Sequence, residues 1–141
     1  MPDKIYLFLT ALLILILATH ALALGGFLSY GIWWLDLVLH FAGGTWLGVF
    51  VFWYLFRHKN YQVGILPASL LVVGLISFAM FAGVLWEFFE FSWDYFAGPY
   101  GAILAQRSLQ DTMSDLLFDF LGALVAAVFL FALEFRVLKR Y

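Results

Sequence analysis

The chain has 141 residues and a formal net charge of −2; 66% of its residues are hydrophobic, 21% aromatic and 11% charged, and it contains no cysteine. Soluble proteins carry roughly 25% charged residues, and a mean hydropathy of +1.02 means more apolar surface than one domain of this length could bury, so we read a single-domain integral membrane protein. Disulfides, thiolate ligands and a cysteine nucleophile are excluded, and so, for want of any basic patch, is a nucleic-acid partner.

The first apolar run, residues 5–24, is long enough to span a bilayer core. The alternative for this run is a secretory signal peptide with Ala21-Leu22-Ala23 as a small-residue cleavage site; we favour the span. Gly25, Gly26 and Gly31 mark a turn. The second run, residues 32–56, opens with Trp33 and Trp34, which suit an interfacial aromatic belt, and stops at Arg57-His58-Lys59-Asn60. The third, residues 65–91, has Pro67 near its first turn, where proline is tolerated. Gly98, Pro99 and Gly101 break the chain, and Tyr95–Gln110 reads as a loop that is partly re-entrant. The fourth run, residues 111–137, has Ser108 as a cap before it and Asp111 and Asp115 in its first turns, where acids favour the helix dipole.

This pattern predicts an all-α fold, a bundle of four transmembrane helices. In that bundle Lys4, Arg57, Lys59, Arg136, Lys139 and Arg140 fall on one side and Arg107 alone on the other. The positive-inside rule then puts both termini in the cytoplasm of a cell whose inner (plasma) membrane the protein crosses.

Against this apolar background the acids stand out. Glu87, Glu90, Asp94, Asp111, Asp115 and Asp119 crowd the stretch from Trp86 to Asp119, although the whole chain has nine acidic residues. An ionised carboxylate in a bilayer costs several kcal/mol unless it is paired, hydrated or bound to a cation. Tracing the helices brings all six, with Asp36 and His40 from the second run, into one depth band on the non-cytoplasmic side. Asp36 and His40 are spaced i, i+4; Glu87, Glu90 and Asp94 i, i+3, i+7; Asp111, Asp115 and Asp119 i, i+4, i+8. Each set makes one helix face, and three faces on three helices can point into one cavity. Gly43, Gly44, Gly83 and Gly122 lie close by and allow tight helix approach.

Seven carboxylates with one or two histidines in a low-dielectric cavity must be neutralised by protons or cations. Oxygen ligands with imidazole suit a divalent metal such as Mg, Mn or Zn, so Asp36, His40, Glu87, Glu90, Asp94, Asp111, Asp115 and Asp119 are candidate ligands. Their number is enough for two ions, the arrangement used in phosphoryl and ester hydrolysis. Glu87 and Asp115 are also candidate general bases, and Arg107 is a candidate anchor for an anionic group. The competing reading is a hydrated polar vestibule; it weighs most for Asp94 and Asp111, which border the loop. His20 reads as a packing histidine, His58 as a solvated loop residue, and Glu134 as the partner of nearby cations.

The motifs D-x-x-x-H-F-x-G-G (Asp36 to Gly44), W-E-x-x-E (Trp86 to Glu90), Q-x-x-x-Q-D-T-x-x-D (Gln106 to Asp115) and L-G-A (Leu121 to Ala123) together resemble the YjdF family of small bacterial inner-membrane proteins. The segment from Arg107 to Ala123 is also similar in style to VanZ-like membrane proteins. The resemblance spans about Trp34 to Ala127. It implies a bacterial membrane location and a shared acidic site, without supplying an activity.

The functional expectation is a metal-dependent hydrolase or transferase acting at the outer leaflet on a lipid-linked or phosphorylated substrate. A non-enzymatic cation-binding or transport protein and a membrane scaffold are the alternatives. Transport is disfavoured because the inner halves, residues 5–19, 46–56, 65–80 and 124–133, carry no charged side chain, so an oligomer would have to supply the pathway.

Overall fold

The computed structural model describes residues 4–27, 34–59 and 67–138. Gly31, Trp33, Lys139 and Arg140, and the side chains of Arg57, His58, Glu134 and Arg136, lie outside the described residues. The fold is all-helical: α1 (Lys4–Leu24), α2 (Trp34–Trp53), α3 (Ala68–Ala97) and α4 (Leu109–Leu138). Among the described residues, four helices are long and apolar enough to cross a membrane. Large side chains point outward throughout, among them Phe8, Leu15, Phe81, Phe88 and Phe129, each about three-fifths exposed. In lipid such exposure costs nothing, because helices satisfy their own backbone and the solvent is itself hydrocarbon.

Several helix boundaries differ from the sequence expectation. The second helix does not stay α-helical to residue 56; its last turn, Tyr54–His58, is π-helical. The third helix starts at Ala68, with Pro67 outside it as the N-cap at φ −53° and ψ 139°, and runs on to Ala97. Asp94 is therefore a helix residue, and the true stop is Gly98-Pro99, which continues only as a short 3-10 turn, Gly98–Tyr100. Gly101 then takes φ +85°, a conformation that favours glycine. The fourth helix starts two residues early, at Leu109, because Ser108 caps it: the Asp111 backbone N–H donates to Ser108 Oγ at 3.2 Å.

The bundle is tightest where α2 crosses α4. A Cβ on Gly44 would run into the backbone carbonyl of Asp119, and one on Gly122 would run into the carbonyl of Phe41. One turn further along, a Cβ on Gly48 would lie 2.9 Å from that of Ala126. Gly44 and Gly48 thus form a G-x-x-x-G face against Gly122, Ala123 and Ala126. Thr45 closes the crossing, its hydroxyl within hydrogen-bond reach of the Gly122 carbonyl (3.2 Å) and of its own helix at Phe41 (2.8 Å). On the other flank, α1 is tied to α2 by Trp46, whose indole N–H donates to the Leu9 carbonyl at 2.7 Å.

Apolar and polar residues are segregated along the bundle axis. Phe52, Leu71, Leu75 and Ala127 form a buried cluster at one end. The buried polar side chains, His20, His40, Glu87, Glu90, Asp115 and Asp119, lie toward the other.

We expect Gly44→Ala to destabilise the protein by about 1–3 kcal/mol through overpacking, measured by unfolding in detergent. Gly74→Ala, where a Cβ meets nothing within 4 Å, should have no such cost. Equal stability of the two variants would refute the role of the α2–α4 crossing.

Candidate functional site

Each helix contributes to the polar end according to where its ionisable residues fall. His20 lies in the last turns of α1, Asp36 and His40 at the start of α2, Glu87 and Glu90 in the second half of α3, and Asp111, Asp115 and Asp119 in the first half of α4. The structure brings these eight side chains together. Six are buried; Glu90 and Asp115 are each 1% exposed, while Asp36 and Asp111 are half-buried toward the rim.

The centre of the site is His40. Its Nδ1 is 3.2 Å from Asp119 Oδ2. Its Nε2 faces Glu87 Oε1 at 3.9 Å and Asp36 Oδ1 at 4.0 Å. The first distance is a hydrogen bond; the other two are too long for one. Two donor atoms on a single ion with bonds of about 2.0–2.2 Å sit roughly 3–4 Å apart, and these distances fall at the top of that range. A carboxylate on one imidazole nitrogen, with the other nitrogen left free, is the arrangement that orients a metal-ligating histidine.

The neighbouring carboxylates are held in the same way. Glu87 has one oxygen, Oε2, fixed by the Gln106 side-chain amide at 2.8 Å. Glu90 has Oε1 fixed by the Trp86 indole N–H at 3.0 Å. The remaining atoms, His40 Nε2, Glu87 Oε1 and Glu90 Oε2, are buried without a hydrogen-bond partner among the described residues, as are His20 Nε2 and Asp115 Oδ1. A buried polar group without a partner costs about 1–3 kcal/mol, and more if charged. Several of them converging on one point is what a cation site requires.

Three sets of donor atoms lie within 4.8 Å of one another: His40, Glu87 and Glu90; His20, Asp36 and Glu90; and Asp36, Asp111 and Asp115. Shared members, Glu90 and Asp36, link them into one chain of sites running from the bundle interior to the rim.

Three of the residues singled out from the sequence meet partners that the sequence did not specify. Asp94 lies apart from these donor sets and instead anchors the loop. Its two oxygens accept the backbone N–H groups of Ala105 (2.6 Å) and Gln106 (2.9 Å). The segment from Ala102 to Ser108 is folded back in this way onto the end of α3, helped by Trp93, whose indole N–H donates to the Ile103 carbonyl at 2.9 Å. Asp119 contacts His40 and belongs to none of the three donor sets. His20, read as a packing residue, is buried beside the cluster, with Nε2 3.7 Å from Glu90 Oε1.

Asp111 has a double position: its Oδ2 also accepts the Arg107 backbone N–H at 3.0 Å. Arg107 is exposed, and among the described residues no carboxylate lies within 4 Å of its guanidinium.

Gln106 and Trp86 were missed as functional positions. Both lie inside the motifs that carry the family resemblance, but neither is ionisable, and their partners became visible only when the loop and α3 were folded together. Gly83, singled out from the sequence for close helix approach, leaves room for a side chain instead: a Cβ there would collide with the Asp119 carboxylate.

A family described as "Predicted membrane protein (DUF2238)" matches residues 3–136. The chain belongs to this family. The YjdF-type resemblance is consistent with that membership. A Thermotoga maritima protein named "Uncharacterized protein" is 34% identical over 106 residues, covering 74% of this chain and 52% of its own length. The chain thus spans about half the length of this curated relative. No solved structure matches.

Asp94→Ala should destabilise the protein by about 1–3 kcal/mol by orphaning two backbone donors, and should speed proteolysis between residues 98 and 108. Unchanged unfolding and unchanged cleavage would rule out the anchoring role.

Proposed function

We propose that this protein is a membrane-embedded, divalent-metal-dependent hydrolase or transferase acting on a lipid-linked or phosphorylated substrate. One observation carries the metal reading. His40 is held at Nδ1 by Asp119, while its buried Nε2 faces carboxylate oxygens of Glu87 and Asp36 at a separation suited to shared coordination and too long for hydrogen bonds. His40, Glu87 and Glu90 would hold one ion, and Asp36, Asp111 and Asp115 a second nearer the rim. The metal, of the Mg, Mn or Zn type, would supply Lewis acidity and an activated water.

The protein's own groups account for the rest. Asp119, Gln106 and Trp86 keep His40, Glu87 and Glu90 in place. Glu87 and Asp115 are the carboxylates placed to accept a proton. Arg107, exposed beside the rim, would bind the anionic part of the substrate through a planar fork of donors. Burial within the bundle keeps the dielectric low, which strengthens each of these interactions.

The distribution of Lys and Arg supports placing both termini in the cytoplasm and the site near the outer leaflet of the inner membrane. A reporter fused after Tyr141 should report a cytoplasmic location; an external location would reverse the orientation and put the site at the inner leaflet.

Elemental analysis of detergent-purified protein should find one or two equivalents of metal, lost in Asp115→Asn and in Glu87→Gln while both still insert in the membrane. Asp119→Asn should lower metal affinity by about 10–100-fold without abolishing it, the usual cost of removing an outer carboxylate. Full occupancy in both ligand variants, or no metal in the wild type after supplying Mg, Mn and Zn, would overturn the reading.

A further inference from the structure

A cavity of about 180 Å³ adjoins the polar site between α1, α2 and α3. Its walls are mostly apolar, with Leu13, Ile16 and Leu17 from α1, Leu39 and Leu47 from α2, and the rings of Trp46 and Trp86; its ionisable groups are His20, His40 and Asp119. These polar groups are gathered at one end. His20 lies near the end of α1, whereas Leu13 lies near its middle, about 10 Å away along the axis at the rise of an α-helix. The same gradient runs along α2 from His40 to Leu47. Leu17 is 46% exposed and forms part of the wall, so the cavity borders the lipid.

The direction of this gradient identifies the occupant. The polar end lies toward the helix ends that carry His20 and Asp36, and the apolar end lies further along α1 and α2; in a spanning bundle a lipid would lie in its leaflet with this polarity. A cavity of about 150 Å³ holds a benzene molecule, so this one accommodates a hydrocarbon segment of about six carbons and excludes a bulky headgroup. The bilayer around the protein presents acyl chains at far higher concentration than any other hydrocarbon.

We propose that this cavity receives one acyl chain of a membrane phospholipid, tail toward the bilayer centre, with the phosphate headgroup at the His40 end of the bundle. The place of the headgroup rests on the metal-centre reading above, because an anion would not approach so many carboxylates without a cation; the place of the chain does not. The substrate class of the site would then be a phospholipid.

The test uses full-length protein in phosphatidylcholine vesicles containing phosphatidylglycerol that carries a diazirine near the end of one acyl chain. After illumination, adducts should map to the cavity-lining Leu13, Ile16, Leu17, Trp46 and Leu47. Gly43→Leu should reduce them by at least about tenfold, a change of roughly 1.4 kcal/mol in occupancy. Gly43 lines the cavity, and a Cβ there meets nothing nearer than Asp119 Oδ1 at 4.0 Å, so the added side chain can fill the space without striking backbone. Leu47→Trp, at the end of the cavity away from His40, is a second block, independent of Asp119.

Adducts confined to the outward-facing Ile14, Leu15, Phe81 and Phe88, or undiminished in both variants, would overturn the proposal. So would labelling by a polyprenyl phosphate probe alone. Metal content is measured on the same samples. Bound metal without cavity adducts would overturn this inference alone, whereas cavity adducts without metal would overturn the metal centre and leave the acyl-chain site standing.

Discussion

The close crossing of α2 and α4 is the constraint on which the site depends. Gly44 has no side chain where the Asp119 backbone passes, and Gly122 has none where the Phe41 carbonyl passes. Without hydrophobic driving force in lipid, such contact relies on van der Waals packing and interhelical hydrogen bonds, here supplied by small residues and Thr45. The crossing brings Asp119 of α4 to His40 of α2, and Gly83 of α3 leaves room for the Asp119 carboxylate. Three helices therefore meet at one carboxylate, and the orientation of the central imidazole follows from a backbone contact.

Around His40 the same design repeats. Each of three inner groups has one polar atom held by a neutral or acidic neighbour and another left facing inward: His40 by Asp119, Glu87 by Gln106, Glu90 by Trp86. Holding one atom fixes the side chain, so the free atoms are held in place as well. The loop after α3 takes part in this, because Asp94 fixes the backbone of Ala105 and Gln106 and so delivers the Gln106 amide to Glu87. Asp94 thus shapes the segment whose Gln106 side chain holds Glu87.

The bundle is also polarised in a way that fits its surroundings. The apolar cluster of Phe52, Leu71, Leu75 and Ala127 closes one end, while the ionisable groups occupy the other and grade outward from buried Glu90 and Asp115 to half-buried Asp36 and Asp111. Arg107 stands exposed beyond them. Desolvation is thus greatest where donor atoms converge and falls toward the rim.

Composition and spacing alone are enough for the fold class and for the common level of the ionisable residues along the bundle. Apolar runs of about 20 residues leave only spanning helices as a solution, and rare acids at i, i+3 and i+4 spacings near the same helix ends must share a level and a face. That reasoning placed Asp36, His40, Glu87, Glu90, Asp111 and Asp115 together. It could not separate the roles of acids on one face, because spacing gives direction around a helix but not the partner met there. Asp94 and Asp119 obey the same periodicity as their neighbours, yet one meets loop amides and the other a histidine ring. His20, alone on its helix, had no periodic signal, and Gln106 and Trp86 have no charge to betray them. Their roles were decided only by the tertiary structure, since a hydrogen bond across helices depends on angstrom-scale packing that glycines in three helices set jointly.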